Sequence, residues 1–253
     1  MLEGLNKIDW EGARHCNGPA ADIPKLLRDL LSKDRKVQST AIHELFGNIW
    51  HHGMVYEATA LAVPFLYEIL EDPSCFERFS VLWLLGAIAN GNSHHQVQKP
   101  KKNNEVEKGT TWAKNAHDAV RQGVKTVLGL LNEKNKDLRL PIILLLAALS
   151  EEAVQITPVL SSILSMEKNV ETRAGFGLAL ALLGDFRFEA FRSENTKLPL
   201  VQIEALAKEC RKNEEMRASA YQTIEECLLA TVDQEDKDWL RDEKELLNPT
   251  NLN

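Results

Sequence analysis

Apolar residues recur along this chain as pairs of helical stripes separated by short polar turns. The first pair runs Asp22-Ile-Pro-Lys-Leu-Leu-Arg-Asp-Leu-Leu, then Ser-Lys-Asp34-Arg-Lys, then Val37-Gln-Ser-Thr-Ala41-Ile-His-Glu-Leu45. A second pair follows, with Pro64-Phe-Leu-Tyr-Glu-Ile-Leu, a turn around Asp72, and a stripe opening at Phe76. Val37, Ala41, Leu45, Gly47 and Ile49 reappear at one common offset as Phe76, Ser80, Leu84, Gly86 and Ile88, the mark of an internal repeat. Leu138 and Ile142, Val170 and Ala174, and Met216 and Ala220 continue the pattern more loosely, giving about five helix pairs. Spacing of i and i+4 places both members of each couple on one helix face, as a buried stripe requires.

Prolines punctuate the first helix of several pairs. Pro24 sits in a first turn behind Asp22, the expected N-cap, where its missing N–H costs little. Pro64 and Pro158 fall inside the helical patterns 56–70 and 151–164, where each is expected to bend its helix; a new helix starting at the proline is the other reading. Residues 90–110, NGNSHHQVQKPKKNNEVEKGT, are polar and lysine-rich and are expected as a loop between the second and third pairs. Residues 233–247 carry Trp239, Leu240, Leu246 and Leu247 on one face and are expected as a C-terminal capping helix. One domain spanning 1–253 is expected.

The stretches Asp22-Ile-Pro…Asp34…Val37…Ala41, Gly47-Asn-Ile-Trp-His-His-Gly-Met-Val-Tyr-Glu-Ala…Pro64 and Asp137-Leu-Arg139 resemble the HEAT-repeat superfamily, specifically bacterial HEAT-repeat proteins of unassigned role. The resemblance covers most of residues 20–230 and loosens in the third and fifth pairs. It implies an all-α fold, an α-α superhelix that coils right-handedly, with the second helix of each pair lining the concave side. It does not imply one activity, because arrays of this kind serve different ends.

Composition narrows the function classes. A net charge of −7 argues against nucleic acid as partner, since phosphate binding needs a basic face. No basic stretch followed by an apolar run opens the chain, and the run Leu140–Leu149 is too short to cross a bilayer, so no membrane partner and a cytoplasmic location are expected. Cys16, Cys75, Cys210 and Cys227 form no CxxC pair and read as thiols in a reducing compartment.

Chemistry-bearing motifs are few. His51 and His52 close the first inner helix before Gly53, a C-cap candidate, and His94 and His95 close the second, so stacking brings four imidazoles to one edge near Glu57. Their spacing matches no zinc motif, and histidine at a helix C-terminus is favoured by the dipole alone; no metal and no cofactor are expected. His43 and His117 read as surface or partly packed residues. His15 beside Cys16 suggests a nucleophile pair but lacks an orienting third group, and no phosphate loop is present, so no catalytic residue is assigned and the reading leans away from an enzyme.

The inner stretches Val81–Ala89, Leu140–Leu149 and Ala174–Leu183 carry no charge on any face, and full burial is preferred over a groove with an apolar floor. On the first inner helix Ser39, His43, Phe46 and Trp50 share a face and, with His51, His52 and Tyr56, form an aromatic and hydrogen-bonding rim of the kind enriched at binding hot spots. The expected function is a non-catalytic scaffold binding a protein or peptide through these seven residues. Two alternatives follow from resemblance and charge: a phycobilin-lyase-like enzyme or accessory factor with an apolar groove for the chromophore, and a toxin-neutralising protein using an acidic surface.

Overall fold

A computed structural model describes residues 1–93, 103–133 and 135–168, with Gly175, Phe176, Ala179, Leu180 and Leu183 beyond them. Among the described residues the protein is predominantly helical, and its strands are two residues each. The chain divides into two compact units, Met1–Leu145 and Leu146–Asn253.

In the first unit, α1 (Ile23–Asp29) and α2 (Arg35–Ile49) form one antiparallel hairpin, and α3 (Glu57–Leu70) and α4 (Arg78–Ala89) form the next. A helix as short as α1 is not stable alone in water. Its fully buried Ile23 and Leu27, each contributing roughly 1.5–3 kcal/mol on transfer from water, hold it against α2 and α3. The expected cap at Asp22 does not form: its side chain makes no bond to the α1 backbone. Instead it accepts from Asn48 Nδ2 at 2.8 Å and contacts His15 Nε2 at 2.9 Å, a tertiary pairing that wins over the local one. Asp34 does cap α2, accepting from the Lys36 N–H at 2.8 Å. α3 continues through Pro64, and the exposed ring leaves Val63, Leu66, Ile69 and Leu70 buried on the other side.

The two hairpins are clamped at their joints. Thr59, fully buried in the first turn of α3, donates its hydroxyl to Ile49 O at 2.6 Å and accepts from the Tyr56 N–H at 2.8 Å, joining the end of α2 to the start of α3. α2 ends at Ile49, and the chain turns through β3 (Trp50–His51) and β4 (Met54–Val55). The intervening His52 and Gly53 have φ of 49° and 83°, so both central residues are left-handed, as a tight primed hairpin turn demands. Gly53 is therefore a turn residue and not the helix C-cap expected of it. β5 (Asn92–Ser93), which follows α4, pairs parallel with β4 to give the order β3-β4-β5.

α5 (Asn103–Gln122) packs on both α3 and α4, and α6 (Val124–Leu130) continues from it after Gly123. Residues 103–110, expected in the polar loop, thus belong to a helix. Glu105, Glu107 and Lys108 are good helix formers, and a helix can extend from an anchored stretch without an apolar stripe of its own. Tyr67 of α3 meets the α5–α6 junction, donating its buried hydroxyl to Val120 O at 2.7 Å. Arg78, at the start of α4 and buried, donates from Nε to Leu70 O at 2.8 Å and grips the Glu133 carboxylate with both terminal nitrogens, 2.7 Å from Nη1 to Oε2. α7 (Arg139–Ala147) follows a 3-10 turn at Lys136–Leu138 that contacts α4.

In the second unit a 3-10 turn, Ser150–Glu152, leads into α8 (Ala153–Leu164), a helix that runs through Pro158 and buries Ile156 and Leu160. Phe176, Ala179, Leu180 and Leu183 are also buried. The remainder of the fourth pair, the fifth pair and the terminal helix expected at 233–247 lie outside the described residues. Among the described residues no single helix is long and apolar enough to cross a membrane.

Candidate functional site

The residues of the expected rim run along α2 from Ser39 through His43 to Phe46, then through Trp50, which opens β3 and so lies off the helix expected to carry it, to His51, His52 and Tyr56 ahead of α3. Ser39 and His43 are exposed on α2, and Phe46 and Trp50 beside them are half-buried. The two rings meet edge to face with centroids 6.1 Å apart, a favoured aromatic geometry. The Trp50 indole N–H is closed off from water and has no acceptor among the described residues, so part of this side chain is core. His51 and His52 stand 4.3 Å apart, ring to ring, in a T-shaped arrangement across the turn. Tyr56 departs from this group: burial, and after it the neighbouring Cys16 thiol, pushes its pKa well above the usual tyrosine range.

Cys16 belongs to the N-terminal hairpin of β1 (Arg14–His15) and β2 (Gly18–Pro19), which is sewn to α2 by a closed polar ring. The Asn17 N–H donates to His15 Nδ1 at 2.9 Å, His15 Nε2 meets Asp22 at 2.9 Å, Asn48 Nδ2 donates to Asp22 at 2.8 Å, and Asn17 Nδ2 donates to Asn48 Oδ1 at 2.9 Å. The Cys16 N–H completes the seam by donating to Asn48 O at 3.0 Å. Accepting at Nδ1 fixes the proton of a neutral His15 on Nε2, facing the Asp22 carboxylate. Neither nitrogen is left to take a proton from Cys16, so the His15–Cys16 pair is a structural seam and not a nucleophile with its base.

Among the described residues no group of histidine, cysteine and acidic side chains is arranged to hold a metal ion. His94 and His95, expected to join His51 and His52, lie outside the described residues. His43 is exposed, and His117 on α5 bonds through Nδ1 to Ala89 O at 2.9 Å, at the last residue of α4.

The outward face of α4 was missed by sequence reasoning. Phe76 and Phe79 are 53% and 44% exposed, although Phe76 was aligned with the half-buried Val37 as a stripe position. α4 begins only at Arg78, so Phe76 lies ahead of the helix and outside its buried stripe. Phe79 stacks on the half-buried Trp83, with centroids 6.2 Å apart and planes 13° from parallel. Ala87, four residues on from Trp83, is half-buried, Gly86 lies against the Leu145 backbone, and Val81, Leu82, Leu84, Leu85, Ile88 and Ala89 are buried. The charge-free segment 81–89 is therefore open along one side instead of wholly enclosed. The signal was present as the i, i+4 couple Phe79–Trp83, the same spacing that marked Phe46 and Trp50.

No family model, curated protein or solved structure matches this chain.

Proposed function

We propose that the chain is a non-catalytic scaffold of HEAT-type helix pairs that binds a protein or peptide on the outward faces of its second helices, α2 and α4. The observation that carries this reading is the coincidence of repeat register with aromatic exposure. α1 packs on α3 and α2 on α4, like on like, as stacked hairpins of a solenoid would. The side of α2 and α4 left uncovered then carries Ser39, His43 and Phe46 on one helix, with Trp50 just beyond its end in β3, and Phe79 and Trp83 on the next. His51 and His52 extend the strip beyond α2. Rigid aromatic side chains on well-packed helices suit recognition, because little conformational freedom remains to be lost on binding.

Ser39 and His43 provide the test, since both are exposed and their replacement spares the core that Trp50 helps to fill. Affinity capture from the host extract, quantified by mass spectrometry, is expected to retain at least one partner on the wild-type chain and to lose it about tenfold with S39E/H43E. Thermal unfolding should stay within about 0.5 kcal/mol of wild type, the usual range for surface changes. An unchanged set of captured proteins would refute the assignment.

A further inference from the structure

We infer that the tip of the β3–β4 hairpin, His51-His52-Gly53-Met54, binds a soft monovalent metal ion, Cu(I), through two imidazoles and one thioether. The inference goes beyond the scaffold reading and does not depend on it.

The turn brings three donors together. Successive side chains of an extended strand point to opposite faces. His52, with φ of 49°, breaks that alternation, and its ring lies against that of His51 with centroids 4.3 Å apart and planes at 75°. Met54 is the residue directly opposite His51 in the β3–β4 register. Directly opposed side chains leave one face of a hairpin with Cβ atoms about 4.5–5.5 Å apart, so the thioether comes within reach of the imidazole pair. A tight primed turn usually carries Asn or Asp ahead of its glycine, and a histidine there adds a metal donor that the turn itself does not need. An unusual residue kept in the left-handed region is one mark of a functional position.

The tip is both anchored and open. β5 pairs with β4, and the Thr59 hydroxyl ties Ile49 to Tyr56, the residues flanking the two strands. His52 is exposed, His51 and Met54 are half-buried, and a Cβ at Gly53 would meet nothing within 4 Å. The ring nitrogens of His51 and His52 make no hydrogen bond or ion pair among the described residues, which leaves their lone pairs for a ligand. Turning the exposed His52 ring away from its edge contact opens the space for an ion between the rings and Met54.

The donor types select the ion. No carboxylate or thiolate joins the two histidines among the described residues. Structural zinc takes four ligands, commonly with thiolates among them, and calcium and magnesium demand oxygen. Two neutral nitrogens and a thioether sulfur form an uncharged, soft set; thioethers favour Cu(I), and imidazole suits copper.

Anaerobic titration of the full-length chain with Cu(I), in competition with a coloured chelator, tests the proposal. Reactive thiols are first capped with iodoacetamide so that no cysteine competes. One Cu(I) per chain is expected, with affinity reduced at least about tenfold by H52N and by M54L. H52N supplies the residue that the turn prefers and M54L nearly conserves volume, so both variants keep the fold. X-ray absorption at the copper edge should show nitrogen and sulfur bound to the metal in the wild type, and the sulfur should vanish in M54L. Failure to bind once the thiols are capped, wild-type affinity in H52N or M54L, or a copper spectrum without sulfur would overturn the proposal. Displacement of the copper by an equal concentration of Zn(II) would overturn it too, since the set would then not be selective for a soft ion.

Discussion

Replacing Gly123 with alanine should destabilise the first unit although its backbone conformation tolerates alanine. Gly123 has φ of −88° and ψ of 6°, outside the left-handed region. At such a position a glycine-to-alanine change ordinarily stabilises by about 0.4–1 kcal/mol, by restricting the unfolded chain. Here a Cβ would fall 2.1 Å from Cζ, 2.2 Å from Cε2 and 2.6 Å from Cε1 of Tyr67. Carbon atoms prefer separations of about 3.5–4.0 Å, so the ring must withdraw by roughly 1.5 Å. It cannot do so freely, being 9% exposed and tied by its hydroxyl to Val120 O at 2.7 Å. Overpacking of about 1–3 kcal/mol and a weakened hydrogen bond of about 1 kcal/mol, set against the entropic gain, leave a net loss of about 1–3.5 kcal/mol. Equilibrium urea unfolding followed by far-ultraviolet circular dichroism would register it. With Tyr67→Leu in the background the ring is gone, and G123A should become neutral or mildly stabilising. An equal cost in both backgrounds, or a single variant as stable as wild type, would refute the reasoning.

Two further outcomes follow from the clamps. The Arg78 guanidinium holds the Glu133 carboxyl below its ordinary 4.5, so Glu133 contributes stability that is complete above pH 4.5 and is lost as pH falls through the lower folded value. E133Q should therefore be about 1–2 kcal/mol less stable at pH 7, the partly exposed carboxylate being screened by water. That gap should close on acidification, as read from urea midpoints across a pH series; a gap independent of pH would refute the pairing. Thr59→Val keeps the shape of the side chain but deprives Ile49 O and the Tyr56 N–H of their shared hydroxyl, and should cost about 1–3 kcal/mol in the same assay.

The helical framework of the first unit was readable from spacing, because a single packed stripe determines where each helix lies. α2, α3 and α4 fall within a few residues of their expected bounds, and Pro64 and Pro158 lie within helices as read. What escaped was set by partners remote in sequence. Asp22 looked like a cap because its Asn48 and His15 partners are invisible from its neighbours. The β3–β4 turn needed positive φ at His52, which histidine does not announce, and a strand at Asn92–Ser93 to complete it. At the candidate site the Phe46–Trp50 couple was legible from i, i+4 spacing. Phe76 and Phe79 were not, because apolar character alone predicts burial and only the start of α4 at Arg78 turns Phe76 outward.

The small sheet beyond α2 acts as a ruler between neighbouring hairpins. β3 leaves α2 and β5 leaves α4, with β4 lying between them. Two strand-to-strand steps of about 4.8 Å add up to about 9.6 Å, and packed helix axes sit roughly 8–10 Å apart. The ladder is thus commensurate with one helix diameter, and it seals one rim of the first two hairpins with main-chain bonds that do not depend on side-chain identity. Sliding or splaying of α2 against α4 at that rim must break the ladder first, whereas at the opposite ends, where Arg35 and Arg78 begin the two helices, the tie among the described residues is a single side-chain hydrogen bond from the Phe76 N–H to Gln38 Oε1.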